Sequence, residues 1–64
     1  MKNIIKQLRK DIGLRQEDMA KELGVTRQTI IAIENNKYNP TLELAMKIAL
    51  LFHLHIEEIF FLEE

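Results

Sequence analysis

The sequence contains no cysteine and no tryptophan, and only one proline and two glycines among its 64 residues. The lack of cysteine excludes a disulfide framework and a zinc site built on thiolates, and two histidines are too few for a structural zinc. No run of about 18 apolar residues is present, so no transmembrane helix is available. Charge interrupts the first residues too early for a signal peptide. We therefore expect a cytoplasmic protein without membrane association.

Catalytic patterns are also missing from the sequence. It holds no glycine-rich phosphate loop, and neither histidine lies beside a nucleophile at a plausible spacing. His53 and His55 diverge on a helix and cannot share a metal, so we expect loop or capping roles for them. If two copies of the chain associate through an acidic surface near these histidines, protonation of the histidines would make that association pH-dependent. We expect no enzymatic activity, no cofactor, no metal and no small-molecule ligand.

Composition favours one compact helical domain over residues 1–64. Hydrophobic residues make up 47% and charged residues 30% of the chain. A chain of this size buries only about 60% of its unfolded surface, so its core must be dense.

The net charge of −1 conceals an asymmetry. Residues 1–40 carry eight bases against five acids, whereas residues 41–64 carry one base against five acids. Either this is ordinary surface scatter, or one end faces a polyanion.

Apolar residues recur at helical spacing in five segments. Gly13 and Gly24 end two of them, and Thr26 and Thr41 are suited to cap two others. The spacing predicts helices over residues 2–12, about 16–23, from the cap at residue 26 to about 35, from 42 to about 52, and about 56–60. Phe60-Phe61-Leu62 is the one segment that would suit a short strand.

The spacing of residues 16–35 predicts a helix-turn-helix. Ala20 permits a close helix crossing, and Gly24 permits the positive φ of a sharp turn. Val25, Ile30 and Ile33 then pack the next helix against the first. Only about three residues remain for the turn, as this motif requires.

The sequence resembles the Cro/C1-type (phage repressor, xenobiotic-response-element) helix-turn-helix family over essentially its whole length. The resemblance is carried by Leu14-Arg15-Gln16-Glu17-Asp18-Met19-Ala20, Leu23-Gly24-Val25-Thr26-Arg27-Gln28-Thr29-Ile30, Ile33-Glu34-Asn35, Lys37-Tyr38-Asn39-Pro40-Thr41-Leu42 and Ile56-Glu57-Glu58-Ile59-Phe60. It is most similar to small, stand-alone bacterial regulators such as the cytolysin repressor. The resemblance implies an all-α, five-helix, lambda-repressor-like domain that binds DNA. Arg15 and His55 depart from the usual helix-capping residues, which predicts weaker helix starts.

If Ile30 and Ile33 are buried, the opposite face of the third helix is the one that would enter a major groove. On that face we expect base contacts from Arg27, Gln28, Ile31 and Asn35. Gln28 suits adenine and Arg27 suits guanine, while Ile31 needs cover from a thymine methyl or a protein surface. The alternative for Arg27 and Gln28 is a solvated helix start.

Phosphate contacts are expected from the rim of this face, namely Arg15, Gln16, Thr26, Asn36, Lys37 and Tyr38. Tyr38 could equally lie over the core. The family resemblance also implies a structural pair between Arg9 and Glu34.

The C-terminal end carries more apolar side chains than the end of a small monomer can readily bury. We expect dimerisation over about residues 50–64, through Leu50, Leu54, Ile56, Phe60, Phe61 and Leu62. The alternative is a well-packed single core. Together these features predict a homodimeric transcriptional regulator, most often a repressor in this family, on an inverted-repeat double-stranded DNA operator. The alternative function is an antitoxin-like protein-interaction module whose DNA binding is secondary.

Overall fold

Five helices and a two-stranded ribbon make up the computed structural model, which describes residues 1–63. In chain order the elements are β1 (Lys2–Asn3), α1 (Ile5–Asp11), α2 (Gln16–Leu23), α3 (Arg27–Glu34), α4 (Leu42–Phe52), α5 (Ile56–Ile59) and β2 (Phe60–Phe61). The predicted bounds of the second and fourth helices are confirmed, and the third is confirmed to within a residue at each end. The all-α class, with a short C-terminal strand, is also confirmed.

The N-terminal segment differs from the prediction. A helix was expected over 2–12, but α1 begins only at Ile5. Lys2 and Asn3 instead pair in antiparallel fashion with Phe61 and Phe60, respectively. The apolar spacing of this segment does suit a helix, but pairing with the far end of the chain satisfies the backbone of its first residues. The ribbon thus joins the two ends of the described chain.

Side-chain caps fix the starts of α3 and α4. The Thr26 hydroxyl accepts a hydrogen bond from the Thr29 N–H at 3.2 Å, and the Thr41 hydroxyl accepts one from the Leu44 N–H at 3.2 Å. Each cap satisfies a backbone N–H that has no partner within its helix. The two predicted threonine caps are therefore confirmed.

The starts of α2 and α5 lack such caps. Arg15 precedes α2 without capping it. The two acids of the first turn, Glu17 and Asp18, stabilise this helix start through their interaction with the helix dipole. At α5 the Glu58 carboxylate accepts a hydrogen bond from the His55 N–H at 2.9 Å. A carboxylate three residues into the helix thus compensates for the missing Ser or Thr.

The core lies where all five helices and the ribbon meet. Its largest fully buried side chains are Ile5, Met19, Ile30, Ile33, Ile48 and Ile59. Every helix contributes at least one of them, so the orientation of each helix is fixed by burial. No helix formed by residues 1–63 is long and apolar enough to cross a membrane.

Candidate nucleic-acid interface

The turn between α2 and α3 has the predicted geometry. Gly24 adopts φ +71°, and its N–H lies 3.3 Å from the carbonyl oxygen of Lys21. Val25 then donates its N–H to the carbonyl of Ala20 at 3.0 Å. A side chain at Gly24 would be strained by the left-handed backbone even though no atom lies in its way. Glycine therefore permits the reversal that sets α3 against α2.

One face of α3 is buried and the other is open. Ile30 and Ile33 are each 1% exposed, so they hold the helix against the core. Arg27 and Gln28 are exposed at its N-terminal end, and Asn35 is exposed just after its last turn. Within residues 1–63 Arg27 forms no ion pair. These side chains share a surface that no other helix covers.

Ile31 occupies the margin of this open face. It is half-buried and lies outside the cluster of side chains that pack as the core. Part of an apolar, β-branched side chain thus remains in contact with water. The expected need for further cover applies to this exposed part.

Three residues predicted to contact phosphate, Asn36, Lys37 and Tyr38, lie in the loop after α3 and are exposed. Asn36 adopts φ +60°, and the N–H of Lys37 donates to the carbonyl of Ala32 at 2.9 Å. Lys37 is exposed and forms no ion pair with a described residue. Tyr38 is 45% exposed and borders a shallow cleft beside Val25. Both roles suggested for Tyr38 stay predictions.

Arg15 is already engaged by two acids in the first turn of α2. Its Nη1 lies 3.1 Å from Glu17 Oε1, and its Nε lies 2.9 Å from Asp18 Oδ2. The hydrogen bond between Arg15 and Asp18 raises the pKa of Arg15 and lowers the pKa of Asp18. A phosphate would have to displace these carboxylates. Arg15 is therefore less available than the sequence led us to expect, because spacing alone does not show which local acid an arginine contacts.

A buried polar network connects α1, α2 and α3. Arg9 Nε donates to Glu34 Oε2 at 2.8 Å, Arg9 Nη2 donates to Glu34 Oε1 at 3.3 Å, and Arg9 Nη1 donates to the Leu14 carbonyl at 3.0 Å. The side chains of Arg9 and Glu34 are 10% and 2% exposed. Because both charges are shielded from water, each depends on the other for compensation.

Gln16 is a further member of this network. Its Nε2 donates to Glu34 Oε1 at 3.1 Å. From its sequence position Gln16 was expected to contact phosphate, and its contact with Glu34 was not expected. The glutamine is half-buried at the start of α2, so Glu34 restricts its amide orientation while part of the side chain faces solvent.

The C-terminal end carries exposed apolar side chains, as the dimer prediction requires. Leu50, Phe61 and Leu62 are 75%, 42% and 84% exposed, and Leu54 and Ile56 are half-buried. Phe60 differs from the prediction. It is 6% exposed because it packs into the core of its own chain, so its side chain is not offered to a partner. The alternation of the ribbon places Phe60 inward and Phe61 outward.

One leucine and one methionine, both exposed, extend this apolar surface along α4. Leu42 is 72% and Met46 is 53% exposed. Met46, Leu50, Leu54 and Ile56 border one groove, with Glu57 at its edge. We call these four residues, together with Phe61 and Leu62, the C-terminal apolar surface.

The histidines occupy helix ends. His53 is the C-cap of α4 in the left-handed conformation, with φ +55°, and His55 is the N-cap of α5. Among residues 1–63 no group of three or more His, Cys, Asp or Glu residues is arranged to hold a metal.

Comparison with known proteins agrees with this geometry. A helix-turn-helix family model matches residues 5–59. An uncharacterized HTH-type transcriptional regulator from Methanocaldococcus jannaschii is 58% identical over 64 residues, which cover all of this chain and 97% of that protein. The HTH-type transcriptional regulator YgzD of Bacillus subtilis is 48% identical over 64 residues, again covering all of this chain and 97% of the relative.

A phage protein is also similar. The ImmF control region 10 kDa protein of Bacillus phage phi105 is 40% identical over 53 residues, which cover 83% of this chain and 59% of that protein. Residues 5–59, which the family model matches, include α2, α3 and the turn between them. The chain therefore belongs to the helix-turn-helix family of Cro/C1-type DNA-binding transcriptional regulators, which is not a family of enzymes.

Proposed function

We propose that the protein is a cytoplasmic, homodimeric repressor that binds an inverted-repeat operator, with residues 1–64 acting as one DNA-binding domain. The observation that carries the proposal is the open face of α3, where Arg27 and Gln28 are exposed beside a firmly buried Ile30. A recognition helix reads base edges with side chains near its N-terminus. These two side chains have the required position and chemistry.

Base reading would be divided among four side chains of this face. The Gln28 amide pairs with adenine N6 and N7, and the Arg27 guanidinium pairs with guanine O6 and N7. Ile31 contacts a thymine methyl, which covers the part of its side chain that the core leaves open. Asn35 supplies a fourth contact from the far end of the helix. Each good paired contact discriminates by about 1–3 kcal/mol.

Phosphate contacts would flank the recognition helix on both sides. Gln16 lies at the start of α2, where unpaired backbone N–H groups and the helix dipole favour an anion. Thr26 lies at the start of α3, and Asn36, Lys37 and Tyr38 follow its end. Arg15 joins them only after exchanging its carboxylate partners for a phosphate. These residues set the register of the protein on the duplex.

Dimerisation through the C-terminal apolar surface would give the operator its symmetry. Leu50 and Leu62 are the most exposed large apolar side chains of the described chain, which a second copy would cover. Residues 41–64 carry a net charge of −4, so this end suits a position away from the phosphates. A two-fold dimer places its recognition helices about 34 Å apart, one turn of DNA.

Selection of bound duplexes from random DNA tests the proposal. We expect an inverted repeat whose half-sites are separated by one helical turn, bound by a species that sediments as a dimer. Affinity should fall steeply as salt is raised, because phosphate contacts release counterions. Recovery of no preferred sequence at low salt would contradict the base-reading assignment. A preferred sequence without symmetry would contradict the dimer instead.

Repression requires a separate measurement. A reporter placed behind a promoter that overlaps the selected operator should be less active when the protein is expressed. The Gln28→Ala variant should relieve this effect without lowering the amount of folded protein. An increase in reporter activity with the wild-type chain would contradict the repressor assignment while leaving DNA binding intact.

A further inference from the structure

The Asn3 side chain joins segments that are far apart in the sequence. Its Nδ2 donates to the carbonyl oxygen of Ile33 at 2.8 Å and lies 3.3 Å from Asn36 Oδ1. Its Oδ1 accepts a hydrogen bond from the Ile5 N–H at 3.1 Å. The Asn3 backbone meanwhile pairs with Phe60 in the ribbon. One side chain therefore connects the ribbon, the start of α1 and the end of α3.

The bond to Ile33 acts where α3 ends. Carbonyl groups in the last turn of a helix have no partner within the helix and need one from outside. The Ile33 carbonyl accepts the Asn36 N–H at 3.1 Å as well as the Asn3 amide. Asn36 follows in the left-handed conformation. Asn3 thus contacts both the helix end and the residue whose backbone turns the chain toward Lys37.

We propose that Asn3 is a positioning residue for DNA binding, which fixes the loop after α3 so that Lys37 is held where it meets a phosphate. The inference rests on the proposed function, because that function supplies the phosphate contact of Lys37. Asn3 itself touches no DNA in this arrangement. Its effect passes through the Ile33 carbonyl and Asn36.

A double-mutant cycle between Asn3 and Lys37 tests the inference. The dissociation constant for the selected operator is measured for the wild type, Asn3→Ala, Lys37→Ala and the double variant, at a temperature where circular dichroism shows all four folded. We expect Asn3→Ala to weaken binding by about threefold to tenfold, the range expected for lost hydrogen bonds. Lys37→Ala should cost clearly less in the Asn3→Ala background, because the lysine is no longer held in place.

Hydrogen exchange of the free protein gives a readout that needs no DNA. In Asn3→Ala the amides of Asn36 and Lys37 should exchange faster, while that of Met19 in α2 should change little. Asn39→Ala, an exposed substitution in the same loop, is the matched control and should leave both exchange and affinity near wild type. If Asn3→Ala fails to fold, Asn3→Ser supplies the same cycle, since serine has no amide to donate to the Ile33 carbonyl or to Asn36 but keeps a side-chain oxygen that can accept from the Ile5 N–H.

The outcomes separate the two proposals. Equal effects of Lys37→Ala in both backgrounds, with unchanged exchange at Asn36, would overturn the positioning role and leave the proposed function standing. A Lys37→Ala variant that binds as tightly as the wild type would instead contradict its phosphate contact. Faster exchange at Asn36 in Asn3→Ala would then still report that Asn3 orders the loop.

Discussion

Removal of Arg9 should damage the fold far more than its single charge suggests. In Arg9→Ala the Glu34 carboxylate, whose side chain is 2% exposed, keeps only the Gln16 amide as a side-chain donor. Three hydrogen bonds are lost, two of them to the ionised partner. Leaving one charge of a buried pair uncompensated costs about 3–5 kcal/mol.

That cost is large for a chain of this length. Stabilities of about 0.05–0.15 kcal/mol per residue imply about 3–10 kcal/mol for the whole protein. In a domain of this size each kcal/mol lowers the melting temperature by about 4–8 °C. We therefore expect Arg9→Ala to melt at least about 12 °C below the wild type by circular dichroism, or to be unfolded at room temperature.

Two variants give this experiment its controls. Lys47→Ala breaks the ion pair between Lys47 and Glu43, whose side chains are 51% and 80% exposed, respectively. Because the pair is exposed, its loss should change the free energy of unfolding by less than about 1 kcal/mol. The double variant Arg9→Met/Glu34→Leu removes both buried charges and should recover much of the stability lost by Arg9→Ala. An Arg9→Ala protein that melts within a few degrees of the wild type yet fails to bind DNA would refute this reasoning and make Arg9 a DNA contact.

Three further expectations concern DNA reading, association and acid stability. Gln28→Ala should weaken operator binding by about 1–3 kcal/mol and relax selectivity at one base position, as competition titrations with single-base variants would reveal; equal losses on every duplex would contradict base reading. Leu50→Glu should sediment as a monomer, whereas Ile12→Glu, at an apolar residue that is 60% exposed outside the predicted interface, should remain a dimer. The hydrogen bond from Arg15 holds the pKa of Asp18 below its ordinary 3.8. The pair therefore contributes its full stabilisation above pH 3.8, and that contribution is lost as the pH falls through the lower pKa of the folded state. In Asp18→Asn this part of the acid dependence of unfolding should vanish, and an unchanged acid titration would argue against the pair.

Local signals in the sequence were sufficient for the helix-turn-helix itself. Gly24 marks the turn, Thr26 caps the next helix, and the spacing of Ile30 and Ile33 defines the buried face of α3. Each of these features depends on residues within a few positions of one another. The exposed position of Gln28 follows directly from that spacing.

Apart from the Arg9–Glu34 pair, which the family resemblance implied, long-range pairings were the part that the sequence did not reveal. Asn3 was expected in a helix, but it pairs with Phe60 and bonds to Ile33. Phe60 was expected at an interface, but the ribbon turns it inward. No local pattern shows that residues so far apart are neighbours. The contact of Gln16 with Glu34 was missed for the same reason.

The ribbon between Lys2–Asn3 and Phe60–Phe61 also bears on how this fold opens. Pairing these segments closes a loop that spans nearly the whole chain, and the entropy of closing so long a loop is recovered only once the helices between them are packed. Separation of β1 from β2 removes the partner of each strand, so both strands take part in one local unfolding event. That event also releases the Asn3 amide from the carbonyl at the end of α3.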